Sequence, residues 1–151
     1  PNDLQDRANY AGFSMLAGDF DTAVSEVERV LKNNPSFEEA YLPLALSTLA
    51  RGDVKGARAV YAGMDKASPA AHSLATMGRA DLELYLGRCR EALEVLQPGI
   101  EVDRKDNNYG EMAHKLVASA EAHLALGQKA KAADEAQKAA QAAPVESAHA
   151  P

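Results

Sequence analysis

The chain has 151 residues, 46% of them apolar but only 5% aromatic and none tryptophan, so one domain of this length must build its core from Ala, Leu and Val in closely packed helices. The net charge of −6 is spread evenly, with 7 basic and 10 acidic side chains over residues 1–75 and 9 and 12 over 76–151. That balance leaves no basic face for nucleic acid and weakly repels anionic membranes, while a single cysteine, Cys89, excludes an intrachain disulfide and a four-cysteine zinc site.

In chain order, the first predicted element is a helical pair over residues 4–37, broken at Gly18-Asp19 and closed by Pro35. A second pair follows over 38–72, broken at Gly52-Asp53 and closed by Pro69. Pro43 lies near the start of its first helix, where it either kinks the helix or occupies the tolerated first turn. The third pair, 73–112, turns at Gly87 and is the least regular. Its first helix carries the charged residues Arg79 and Glu83, and Pro98-Gly99 is expected to interrupt and kink the second helix. It also carries six extra residues within Arg104–Gly110, which either lengthen that helix or form a protruding loop. The fourth pair, 113–146, turns at Gly127 and ends in an alanine-rich helix over about 129–143 before Pro144; residues 145–151 are expected to be a disordered tail.

The four turn glycines are spaced by 34, 35 and 40 residues. Five residues after each comes an alanine (Ala23, Ala57, Ala92, Ala132), and seven before each another (Ala11, Ala45, Ala80, Ala120). Glycine suits a helix end that needs positive φ, and Asp19 and Asp53 suit the N-cap of the next helix. The alanines let paired helices approach closely, and hairpins of this kind bury their apolar faces only by stacking. The pattern predicts one all-α domain of about eight helices.

The turn segments GDFDTA (18–23), GDVKGA (52–57), GRCREA (87–92) and GQKAKA (127–132) resemble those of tetratricopeptide repeats, and the resemblance covers roughly residues 4–144. It implies a right-handed superhelical α-solenoid whose concave face, lined by the first helix of each repeat, binds an extended peptide or a partner helix. The family's bulky residue early in the first helix is kept as Tyr41 but is Arg7, Thr76 and Leu116 in the other repeats. The segment RADLELYLG (79–87) resembles tetratricopeptide segments attached to bacterial signalling proteins, and the start without methionine leads us to expect a piece of a larger chain.

No catalytic constellation emerges. His72, His114, His123 and His149 share no metal-ligand spacing, and Glu111-x-x-His114 supplies too few ligands for a helical metal site. Cys89, in the column of Phe20, reads as a buried structural thiol. Asp103–Asn108 lacks the alternation of a calcium loop and reads as a solvated connection, while Glu38-Glu39 and Asp134-Glu135 read as helix-surface charges. No nucleotide-binding or hydrolase motif occurs, so no enzyme and no cofactor are expected.

Carried over from the resemblance, the concave face would present Asn9, Glu39, Leu42, Leu46, Leu74, Met77, Asp81, His114, Val117 and Glu121. Leu42, Leu46, Leu74 and Met77 would form an apolar strip edged by acids, suited to an amphipathic helix or a weakly basic peptide; the same spacing also fits packing between adjacent first helices. The clamp positions for a C-terminal EEVD-type tail hold Ala8, Gly12, Pro43, Leu74 and Gly78, none cationic, so that ligand is not expected. The partner is therefore expected to be a protein or peptide, with no nucleic acid and no membrane. The competing reading is a structural array that dimerises through helix 129–143. With polar residues at the start and no apolar run of about 18 residues, a cytoplasmic location is expected.

Overall fold

The computed structural model describes residues 3–142, and every regular element among them is helical. In order they are α1 (Leu4–Leu16), α2 (Phe20–Asn33), a 3₁₀ turn (Glu38–Ala40), α3 (Tyr41–Ala50), α4 (Val54–Met64), α5 (Pro69–Tyr85), α6 (Cys89–Lys105), α7 (Tyr109–Ala125) and α8 (Lys129–Ala142). None is long and apolar enough to cross a membrane.

The turns explain the pairing. Gly18, Gly52, Gly87 and Gly127 all have φ between 72° and 83°, a region that penalises a Cβ. At the first turn the Gly18 amide donates to Met15 O and the Asp19 amide to Ser14 O, the two bonds that terminate a helix through a left-handed residue. The same pair of bonds recurs at the other three glycines. Asp19 and Asp53 then cap the following helices, accepting from the Thr22 amide at 3.1 Å and the Gly56 amide at 2.7 Å.

The chain divides into two compact units between Ala75 and Thr76. In the first, Ala11, Val27, Val30 and Ala40 form a core on which Leu4, Leu31, Phe37 and Leu44 pack. In the second, the core contains Leu96, Ile100, Met112 and Leu116 with three alanines, and Met77, Leu84 and Val95 pack against it. The columns five residues after each glycine are buried throughout, from 0% exposure at Ala23 to 8% at Ala132. Those small side chains let the paired helices close on one another.

Several sequence expectations are decided or corrected here. A 3₁₀ turn precedes α3, so Pro43 falls in the first helical turn, where its missing amide costs nothing. Pro98 does not interrupt the third pair: α6 runs continuously from Cys89 to Lys105 with Pro98 on its exposed side. The extra residues lengthen helices instead of forming a loop. α6 and α7 each reach 17 residues and meet at Asn107, whose φ of 57° reproduces the glycine turn with an asparagine. Cys89 opens α6 half-buried and is not a core thiol.

The stretch Asp103–Asn108 is not simply a solvated connection. Asp103 is 2% exposed and accepts from Lys115 Nζ at 2.6 Å, with Lys115 wholly buried. Asn108 Nδ2 donates to the other carboxylate oxygen at 3.4 Å. The Lys115 stem crosses α6 where Gly99 leaves room: a Cβ there would sit 3.2 Å from Lys115 Cδ and 2.7 Å from Thr76 Cγ2. The expected tail, 145–151, and Pro144 lie outside the described residues.

Candidate functional site

In the first unit the first helices carry an open apolar surface. Leu42 and Leu46, one turn apart on α3, are 51% and 37% exposed, and Leu74 on α5 is 43% exposed. Hydrophobic side chains at i and i+4 form one continuous patch. Asn9 is exposed on α1, where its carbonyl accepts from Gln5 Nε2 at 3.3 Å, and Glu39 is exposed in the 3₁₀ turn. Its neighbour Glu38 is no free surface charge, because it accepts from the Ser68 hydroxyl, which also caps the Ala71 amide.

In the second unit Met77 is half-buried and packs against the core. Asp81, His114, Val117 and Glu121 are exposed. The last three follow one another at i, i+3 and i+7 along α7 and line a cavity of about 740 Å³ between α7 and α8. Its wall is otherwise apolar, including Leu124 from α7 and Ala132, Ala136 and Ala140 from α8. Asp81 lies near enough to Glu121 that partial burial, and then the Glu121 charge, raise its pKa above the ordinary 3.8. Two carboxylates that repel one another would favour a cation between them.

Several other polar side chains have structural partners. His72 Nδ1 meets Asp65 at 2.6 Å and His123 Nδ1 meets Gln128 Oε1 at 2.7 Å, while exposed His114 stands 4.0 Å from Glu111. His149 lies outside the described residues. Asp134 and Glu135 both pair with Lys138. A second cavity of about 450 Å³, beside Arg7 and Arg29, has both guanidinium groups bonded to Glu26. Among the described residues no three His, Cys, Asp or Glu side chains are placed to hold a metal ion.

Sequence reasoning missed the Asp103–Lys115 pair, although a signal existed. Lys115 lies twelve residues before its turn glycine, in the column of Ala40 and Ala75, both fully buried. A lysine in a column of buried alanines demands a buried acid.

Comparison with known proteins follows the same lines. The family model described as Tetratricopeptide repeat matches residues 17–72 and 77–147, and a search of curated proteins returns no match. Among solved structures, the chain is similar to "YrrB: a TPR protein with an unusual peptide-binding site", at 14% identity and a TM-score of 0.53, over 95% of this chain and 88% of that one. It is also similar to MamA protein, at 16% identity and a TM-score of 0.51, over 98% of each chain. At such identities the likeness establishes the fold alone, an all-α array of solenoid class, while the family model covers most of the sequence. The chain belongs to the tetratricopeptide repeat family.

Proposed function

We propose that the chain is a non-catalytic protein-interaction module, part of a larger multidomain protein, that takes an amphipathic helix or weakly basic peptide on its first-helix face. The observation that carries this is the exposure of Leu42, Leu46, Leu74 and Val117, apolar side chains at the family's partner-facing positions that a folded chain would otherwise bury. Apolar anchors on the ligand would cover Leu42, Leu46 and Leu74 in the first unit, and Val117 offers a further apolar contact in the second. A lysine or arginine of the ligand would neutralise the Asp81–Glu121 pair, with Asn9, Glu39 and His114 as further contacts. YrrB, which shares the fold, carries a peptide-binding site, consistent with an extended ligand.

The test is a pull-down from the source organism's lysate, comparing the native chain with a Leu46→Lys, Asp81→Lys double variant of unchanged helicity. The proposal expects a protein retained by the native chain and lost by the variant. Identical profiles would remove this face from consideration.

A further inference from the structure

α6 and α7 meet through buried charge. Asp103, near the end of α6, is 2% exposed, Lys115 on α7 is fully buried, and the ammonium stands 2.6 Å from Asp103 Oδ2. The start of α7 is tied to the same residue: the Asn108 amide donates to Asp103 O at 2.8 Å, and Asn108 Nδ2 donates to Asp103 Oδ1 at 3.4 Å. The lysine stem passes Gly99, where a Cβ would stand 3.2 Å from both Cδ and Cε. Knob, notch and counter-charge therefore coincide at one place on α6.

The apolar surfaces around this pair discriminate poorly between neighbouring registers. Leu96 and Ile100 lie one turn apart on α6, Met112 and Leu116 one turn apart on α7, and all four share one core. Sliding α7 by one turn exchanges Met for Leu at the same place, a swap that cores tolerate. Much of the remaining buried surface is small: Ala92 and Gly99 on α6, and Ala113, Ala118, Ser119 and Ala122 on α7. Charge does discriminate. One turn either side of Asp103 stand Gly99 and Asn107, neither of them charged, and the nearby acids Glu94, Glu101 and Asp106 are exposed. A slipped α7 would leave ammonium and carboxylate buried apart, a costly arrangement.

The same holds between repeats. Twelve residues before the turn glycine, where the fourth repeat has Lys115, the second and third have Ala40 and Ala75, both 0% exposed. Sixteen residues after the glycine, where the third repeat has Asp103, the first and second have Asn34 and Ser68. Those two side chains serve local ends: Asn34 Oδ1 accepts from the Ser36 amide and Ser68 Oγ from the Ala71 amide. The α7–α8 hairpin shares its alanine columns with the other repeats, yet docked on α2 or α4 its lysine would face a neutral residue.

We infer that the Lys115–Asp103 pair is a stacking lock, which admits the α7–α8 hairpin to α6 alone and in one register. Its effect is selection: apolar residues would hold the two helices as firmly, but not in one place. A one-turn slip would carry His114, Val117 and Glu121 about 5.4 Å along α6, so the lock fixes where α7 presents them. It acts on the placement of α7 whatever α7 binds, so it can fail while the proposed peptide face stands, and the reverse.

The test is amide NMR of the whole chain carrying Lys115→Met and Asp103→Leu together, which removes both charges and keeps the bulk. The native chain should give one set of α7 and α8 signals. The variant should stay folded and show a second set, at roughly a tenth or more of the intensity, in which the contacts of Leu96 and Ile100 are displaced by three or four residues along α7. Should that variant fail to fold, Lys115→Leu with Asp103→Ala gives the same reading with less bulk. One set of signals with native contacts would overturn the inference. So would a second set at unfolded positions, which means a detached hairpin, or failure of both variants to fold, which makes the pair a support and not a selector.

Discussion

Lys115 and Asp103 show what one residue costs in a core of small side chains. Both are withdrawn from water, and their 2.6 Å bond is the condition for burying either charge. Lys115→Ala removes the buried cation that faces the Asp103 carboxylate and should cost about 3–5 kcal/mol in denaturant unfolding, as should Asp103→Ala, which removes the anion that faces the buried ammonium. Lys115→Met combined with Asp103→Leu should recover most of that loss, because two apolar groups of similar size need no partner. Asp81 works at the surface in the opposite sense. Its folded pKa is raised above 3.8, so the folded state binds the proton more tightly than the unfolded one. Stability should therefore decline as pH rises from about 3.8 through the raised value, and an Asp81→Asn variant should lose that decline in a pH series of unfolding midpoints.

At the scale of elements, the hairpin is set by its turn and cap. A Cβ at Gly127 meets nothing within 4 Å, so Gly127→Ala should cost about 1 kcal/mol through its φ of 74° alone. Gly99→Ala, by contrast, keeps an ordinary helical backbone and strikes Thr76 Cγ2 at 2.7 Å, so its cost should come from displaced packing between helices. Loss of the Asp53 cap should cost about 1 kcal/mol in Asp53→Ala, readable as a lowered midpoint. The asparagine at Asn107 belongs to the same set, a left-handed turn between repeats that does for α6 and α7 what glycine does within them.

For the whole molecule, stacked repeats gain stability from neighbouring interfaces, so the elements with the least apolar cover open first. α8 buries only Ala132 and Ala139 among its described side chains, whereas α7 buries Met112 and Leu116 together with the Lys115 stem. Hydrogen exchange should accordingly find the α8 amides released well before those of α7, and equal protection of the two helices would contradict this account. The chaperone-tail prediction also belongs to this scale. With no cation at the five clamp positions, an EEVD-type peptide should show no micromolar binding by calorimetry.

The helical hairpins, their boundaries at four glycines, the two capped turns and the family were legible from the residues alone, because turn chemistry and close helix approach are local demands that only a few residue types meet. The family resemblance gave Leu42, Leu46, Leu74 and Met77 as an apolar strip, while their helical spacing fitted packing between adjacent first helices equally well. Folding was needed to show that Met77 packs against the core, that Pro98 rides within an unbroken helix, and that Asp103 is buried against Lys115. It alone opened the α7–α8 cavity while covering the same columns elsewhere. The physical reason is common to all four. Periodicity reports which face of a helix a residue occupies, but burial depends on whether another helix arrives to cover that face, and that is settled by packing between repeats.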